Sequence, residues 1–572
     1  MKTKYEKDVD LSCPLNEYPR PQMVREKWLC LNGPWKCAFT DTPEPPENWD
    51  LTIIVPFSPE SELSGVGKSL EPGKFLWYRR TFELTSDLLA PHCLLHFGAV
   101  DQIAAVYING SLAGVHMGGY TSFEMDIAPF LKGGTNEITV MVSDDTDMSW
   151  QSRGKQKTKR GGIFYTPQSG IWQTVWLEPV PAVYVRSMVI LPLFDEGKLS
   201  VTVNTNAPAK VELSTMGLSA EGESGKALIL TLPEGWKAWS PEDPKLYELS
   251  VSTGKDRISS YFGMRKFSVE TAPDGNKRLF LNNRPYFHTG VLDQGYYADT
   301  LLTPPCDKAM EDDIRMVKDM GFNCIRKHIK QEPLRWYYHC DRMGMLVWQD
   351  MVNGGGPLKK ITAQLPAVIS EFSIKDSNYS LFSRQSAEGR AQYYKELGEM
   401  LDTLINCPCI AMWVPFNEGW GQFDAEKAVE FIKKRDTSRT IDHASGWHDQ
   451  HIGELKSLHV YMRPYKLHKD KLGRAIMLTE FGGYQLRVDG HCFNEKTYGY
   501  HGCTSMENLA ADLKTLFERD IIAQKPLGLC ASIYTQVSDV EDEVNGLVTY
   551  DREVIKVPAE LLRGLNDQIK DI

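Results

Sequence analysis

The stretch Met412-Trp413-Val414-Pro415-Phe416-Asn417-Glu418-Gly419-Trp420-Gly421-Gln422 is a short apolar run that carries an Asn-Glu pair at its C-terminal end. A second run, Ala475-Ile476-Met477-Leu478-Thr479-Glu480-Phe481-Gly482, also ends in a Glu. Short apolar runs bounded by turn residues read as strands buried on both faces. After residue 280 they alternate with helical periods: Met310, Ile314, Val317 and Met320; Leu397, Leu401 and Leu404; Leu509, Leu513 and Leu516. Strands are placed at 286–291, 323–327, 346–349, 410–416, 440–443, 458–461, 476–479 and 529–534. Eight such alternations predict a (β/α)₈ TIM barrel, whose functional groups gather at the C-terminal ends of the strands.

That placement nominates a set of side chains around one barrel mouth. His288 and Asp293 follow the first strand, Arg326 and His328 lie on the second, and Asp350 follows the third. Asn417 and Glu418 follow the fourth strand, His443 and Trp447 the fifth, Tyr461 the sixth, Glu480 the seventh and Gln536 the eighth. Two strands that each end on a carboxylate are what retaining glycoside hydrolysis requires, because one carboxyl protonates the leaving oxygen while the other attacks the sugar carbon. Glu418 is assigned as acid/base and Glu480 as nucleophile. Asn417 is placed to bond the hydroxyl beside the anomeric carbon, Arg326 to keep Glu480 ionised, and Tyr461 to donate to it. A lone Glu is more often a surface or salt-bridged carboxylate; it is the pair on strands four and seven that points to catalysis.

Upstream, the chain changes to short alternating runs between turn residues, such as 75–82, 94–97, 104–108, 137–142 and 170–177, with an Asn109-Gly110 hairpin turn. A β-sandwich over 1–181 accounts for them. A smaller set of strands between 183 and 265 fits an immunoglobulin-like sandwich over 182–271. The barrel takes 272–572, with long loops at 351–385 and 482–504 shaping its pocket.

At 572 residues the chain is too long for one core, which agrees with this three-part reading. A net charge of −11 argues against nucleic acid and anionic membrane as partners and is compatible with a carbohydrate. The basic run Arg153-Gly154-Lys155-Gln156-Lys157-Thr158-Lys159-Arg160 reads as a solvated loop. His443, His448, His451 and His459 match no tight ligand spacing, and Cys407-Pro408-Cys409 has no matching pair, so no metal or cofactor is expected. The scattered cysteines read as reduced core thiols, and the polar start of the chain gives a cytoplasmic expectation.

Several of these stretches resemble glycoside hydrolase family 2, the family of β-galactosidases, β-glucuronidases and β-mannosidases. The carriers are Gly170-Ile171-Trp172-Gln173-Thr174-Val175-Trp176-Leu177, Trp239-Ser240-Pro241-Glu242-Asp243-Pro244, Phe262-Gly263-Met264-Arg265, Gly321-Phe322-Asn323-Cys324-Ile325-Arg326, Phe416-Asn417-Glu418 and Thr479-Glu480-Phe481-Gly482. Tyr534-Thr535-Gln536 and Asn545-Gly546-Leu547-Val548-Thr549-Tyr550-Asp551-Arg552 resemble the family's C-terminal signature. The resemblance implies that the first domain is a sugar-binding-type jelly roll that buttresses the barrel. It further implies that the activity is that of a retaining exo-β-glycosidase, β-galactosidase foremost, and that the protein is a homo-oligomer. Mannosidase, glucosidase and arabinopyranosidase activities are the alternatives, and a non-catalytic carbohydrate-binding protein is the reading from a different class. Where the family's β-glucuronidases carry an Asn-x-Lys that grips a carboxylate, this chain has Glu543-Val544-Asn545, which disfavours a uronate.

Overall fold

A computed structural model of the chain describes residues 1–368 and 372–570; residues 369–371 of the first long loop lie outside the described residues. The N-terminal part packs two antiparallel sheets face to face. One contains Leu29–Cys30, Val175–Val180, His92–Phe97 and Phe123–Asp126; the other has six strands centred on Phe75–Leu84 and Gly134–Ser143. Alternation along the strands sends Trp35, Leu76, Tyr78, Leu95, Val106 and Val140 into the space between the sheets. Asn109 and Gly110 have φ of 50° and 82°, as the tight hairpin requires, and Ile108 pairs with Ser111 across it. The run expected at 170–177 is divided, because the chain leaves Gly170–Ile171 and enters a different sheet at Val175.

Seven strands form the second sandwich, in sheets of three and four. Its first strand is Val185–Leu193, and Leu218–Glu223 is an edge strand that alternates between half-buried and exposed residues. The hairpin of Phe267–Thr271 and Lys277–Leu281 spans the expected boundary at 271/272, and its Phe267, Val269, Leu279 and Leu281 pack in the barrel core.

Eight parallel strands follow: β1 (His288–Asp293), β2 (Cys324–Lys327), β3 (Leu346–Asp350), β4 (Ile410–Val414), β5 (Thr440–Ile441), β6 (Leu455–Val460), β7 (Ala475–Gly482) and β8 (Leu529–Thr535). Ladder hydrogen bonds run continuously in the order β5-β4-β3-β2-β1-β8-β7-β6. Side chains link the two ends of that order: Ser457 Oγ donates to Asp442 Oδ1 at 2.8 Å and Gly446 N–H to Ser457 Oγ at 3.4 Å.

The helices α1 (Asp307–Asp319), α2 (Leu334–Met343), α3 (Ala387–Leu404), α4 (Ala425–Lys433), α5 (Met506–Phe517) and α6 (Ala559–Lys570) cover the barrel. Ser386 and Ser505 cap α3 and α5 by accepting from Gly389 and Asn508 N–H. The alternation is incomplete, since the segments after β5 and β6 carry no α-helix. Those segments are only 442–454 and 461–474, and glycines at 446, 453 and 473 take positive φ within them.

The domains are held together by buried polar contacts. Trp239 of the second sandwich is fully buried and donates to Asp341 O at 2.7 Å, while Asn406 of the barrel exchanges bonds of 2.8 Å with Met188 and Ile190. The twelve cysteines are all free. Among the described residues no helix is long and apolar enough to cross a membrane.

Candidate active site

β4 ends at Val414, and Pro415 and Phe416 carry the chain onto the barrel rim. Glu418 adopts a left-handed backbone conformation with φ of 50°, uncommon for a residue bearing a side chain and characteristic of a tightly constrained site. Its N–H donates to Ser445 O at 2.9 Å, and Trp420 N–H donates to Asn417 O at 2.9 Å, closing a tight turn. Glu480 lies within β7, flanked by strands on both sides, so its backbone is fixed by the sheet. One carboxylate oxygen of Glu418, one of Glu480 and a ring nitrogen of His459 lie within 4.8 Å of one another.

Arg326 joins this pair to the barrel. Fully buried on β2, it donates from Nε and Nη2 to both oxygens of Asp350 at 3.0 Å, from Nη2 to Asn417 Oδ1 at 2.8 Å and from Nη1 to Glu480 Oε1 at 3.1 Å. The planar guanidinium thereby aligns three residues from three strands. Tyr461 donates its hydroxyl to Glu480 Oε2, and its ring stacks on Tyr500 at 4.0 Å between centroids. His328 Nδ1 lies 2.9 Å from Asp350 Oδ2. Burial, with the nearby Lys155 cation, holds His328 well below the usual histidine range, so it is neutral.

The two glutamates are pushed apart in acidity. Burial raises Glu418, and repulsion from Glu480 adds to this against the hydrogen bond from His459. Burial acts upward on Glu480 too, but the attraction of His459 and Arg326 outweighs it and brings the carboxylate well below its ordinary range. One carboxyl is therefore held towards its acid form and the other as an anion, which is how environment divides labour between two like groups.

Other nominated residues fall at different places. His288 is the first residue of β1, not beyond its end, because it belongs to the apolar run that forms the strand; it is buried and accepts from Trp348 Nε1 at 2.9 Å. Asp293 ends β1 and pairs with Lys327 at 2.5 Å, in a buried network with Glu332. His443 faces Asp449 at 3.1 Å, and Gln536 bonds Asn545 Oδ1 at 2.7 Å. Trp447 lines a cleft of about 470 Å³ together with His459, Tyr461 and Tyr500.

His459 was considered only as a metal ligand, yet its Nδ1 lies 2.8 Å from Glu418 Oε1 and its Nε2 3.7 Å from Glu480 Oε1. The signal was present: it is two residues before Tyr461, hence on the same face of an extended chain. The basic run is a second correction. Arg153, Lys155 and Gln156 are buried rather than solvated, because the loop folds under the first sandwich and onto the barrel.

A TIM barrel with paired carboxylates, one just beyond β4 and one on β7, ringed by an arginine, a tyrosine and an asparagine, has the constellation of a retaining glycosidase. Comparison with known proteins identifies the family. Profiles for "Glycosyl hydrolases family 2, sugar binding domain" match residues 69–181, "Glycosyl hydrolases family 2" residues 183–265, and "Glycosyl hydrolases family 2, TIM barrel domain" residues 275–556. The chain belongs to glycoside hydrolase family 2.

Among curated relatives, a β-galactosidase of Thermoanaerobacter pseudethanolicus is 24% identical over 390 residues, 64% of this chain and 47% of the relative. A putative β-glucuronidase of Formosa agariphila is 24% identical over 328 residues, 54% of this chain and 37% of the relative. The chain thus spans less than half the length of these relatives. Of solved structures, a Ruminococcus gnavus β-glucuronidase superposes with a TM-score of 0.75 at 16% identity, covering 97% of this chain and all of the other. A β-galacturonidase from Eisenbergiella tayi gives 0.71 at 19% identity, over 96% of this chain and 99% of the other, a likeness of fold.

Proposed function

We propose that the protein is a retaining exo-β-glycosidase acting on a neutral terminal sugar, β-galactosides foremost, by double displacement. Glu480 attacks the anomeric carbon while protonated Glu418 gives its proton to the leaving oxygen. Glu418 then takes a proton from water, which attacks the anomeric carbon and releases Glu480. The observation carrying this reading is the approach of the two carboxylates to within 4.8 Å with their acidities driven in opposite directions. An inverting enzyme holds its carboxyls about 6.5–9.5 Å apart to admit a water, whereas direct attack needs about 5–5.5 Å. Asn417, aligned by Arg326, bonds the hydroxyl beside the reacting carbon. His459 holds Glu418 in place and favours the anion of Glu480.

The sugar assignment is supported by the β-galactosidases among the relatives and by Glu543. Its buried carboxylate accepts from Tyr165 and, at 3.1 Å, from Asn545, which puts an acid where the resemblance places the asparagine for a uronate and an uncharged Asn545 where it places the lysine. The test is initial rates on chromogenic β-galactoside, glucoside, mannoside, glucuronide, fucoside and arabinoside, with Glu480→Ala as the blank. Galactoside turnover lost in the variant supports the reading. Turnover that survives the substitution removes the nucleophile assignment, and sugar binding without turnover of any glycoside favours a non-catalytic role.

A further inference from the structure

The first sandwich sends one cation to the barrel mouth. The loop carrying it is fixed at several points. Arg153 N–H and Gly154 N–H donate to Asn353 O at 2.9 and 3.2 Å, Arg153 Nη1 donates to Gly355 O at 2.5 Å, and Tyr165 N–H donates to Lys155 O at 3.0 Å. Gln156 donates to Asp101 at 2.9 Å and to Tyr120 at 2.6 Å. Gly154 has φ of 62°, and a Cβ there would come within 3.1 Å of Ile329 O, so the loop lies directly on the segment after β2.

The basic residues of the loop have different fates. Arg153 is spent on backbone carbonyls, Lys157 sits 4.6 Å above the ring of Phe164, and Arg160 pairs with Glu541 and Asp542 at 3.2 and 3.1 Å. Lys155 is only 7% exposed, yet among the described residues its ammonium has neither an ion pair nor a hydrogen bond. Its nearest polarisable neighbours are the rings of Tyr165 and Trp420, at 5.7 and 5.9 Å. Trp420 is two residues beyond Glu418, and the Lys155 charge acts on both Glu418 and His328. An ammonium has three donors and no acceptor, and those of Lys155, on a stem that is mostly buried, keep contact with solvent rather than with a protein oxygen. Leaving the neighbouring arginine satisfied and this lysine unsatisfied, beside a reacting carboxyl, is the pattern of a group that waits for substrate.

We propose that Lys155 is a substrate-binding residue, supplied by the first sandwich to the barrel's pocket, that donates to oxygens of the sugar held against Glu418. The inference rests on the glycosidase reading above. It gives the first domain a direct part in sugar recognition in addition to its packing against the barrel.

The test compares wild type with Lys155→Met, which keeps length and apolar bulk, and Lys155→Gln, which keeps N–H donors. Steady-state rates are measured on β-galactoside and β-galacturonide, and galactose and galacturonate binding by calorimetry. The expected result is a fall in kcat/KM of about 10- to 100-fold in Lys155→Met, the range of a lost charge-assisted hydrogen bond, with partial recovery in Lys155→Gln and an unchanged unfolding midpoint. A loss on the galactoside identifies a hydroxyl as the acceptor; a loss confined to the galacturonide identifies a carboxylate. Unchanged kcat/KM and sugar affinity in Lys155→Met overturn the proposal. If wild type turns over no glycoside, the glycosidase reading fails, while weaker sugar binding by Lys155→Met still supports the role of Lys155.

Discussion

Replacing Tyr461 by Phe removes its hydrogen bond to Glu480 at the reacting centre, together with a longer contact of 3.4 Å to Thr535 Oγ1. The hydroxyl donates to Glu480 Oε2, while the ring is held independently by its stack on Tyr500, 4.0 Å between centroids and 15° from parallel. The substitution therefore deletes the donor and leaves the packing. A hydrogen bond to a charged group contributes about 1.5–3 kcal/mol, and about 1.4 kcal/mol is a decade in rate, so turnover falls roughly 10- to 150-fold. The direction with pH follows from the same bond. Tyr461 is one of the groups that lower the Glu480 carboxyl, so its removal lets that carboxyl hold its proton more tightly. Glu480 must be ionised to attack, so the acidic limb of the pH–rate profile moves to higher pH. Rates on a chromogenic β-galactoside across the pH range, with unfolding midpoints for both proteins, measure each quantity. A variant with wild-type turnover and an unmoved acidic limb would refute the reasoning.

Three other outcomes are expected. Glu418→Ala should lose about 10²–10⁴-fold on glycosides with poor leaving groups and far less on activated aryl glycosides, and azide should restore turnover by taking the place of water; equal losses on both classes would oppose the acid/base role. His459→Asn removes a group that lowers both glutamates, so both limbs of the profile should move to higher pH; a shift of one limb alone would show that His459 serves one carboxyl only. Burial pulls His288 from 6.5 down to about 3, so between those values the unfolded chain binds a proton that the folded protein does not, and stability falls as pH drops through that window. His288→Gln should flatten this slope, measured as denaturant midpoints at about pH 7 and about pH 4; an unchanged slope would contradict the assignment.

The barrel was legible because its strands are continuous apolar runs and its helices repeat at Met310/Ile314/Val317 and Leu509/Leu513/Leu516. Glu418, Glu480, Arg326 and Tyr461 were legible because each lies at or near the end of such a run. His288 was misplaced because it lies within the first strand's run rather than after it, at the end remote from the mouth. Helices after β5 and β6 were expected from the regularity of the fold, but glycine-bearing segments of 13 and 14 residues replace them. Lys155 was hidden for a different reason. Charge patterning describes a basic run as solvated, and only the packing of one domain onto another buries its middle. Contacts between domains leave little trace in local periodicity, whereas contacts within a strand or helix are written into it.

The central claim is that Glu480 forms a covalent bond to the sugar. It is tested most directly by treating the protein with a 2-deoxy-2-fluoro-β-galactosyl fluoride, which slows hydrolysis of the intermediate, and mapping the adduct by peptide mass spectrometry. The account predicts one fluorosugar per chain, ester-linked to Glu480 and absent from Glu480→Ala. A stable adduct on any other residue, or release of product with inverted anomeric configuration from a natural glycoside, would contradict it.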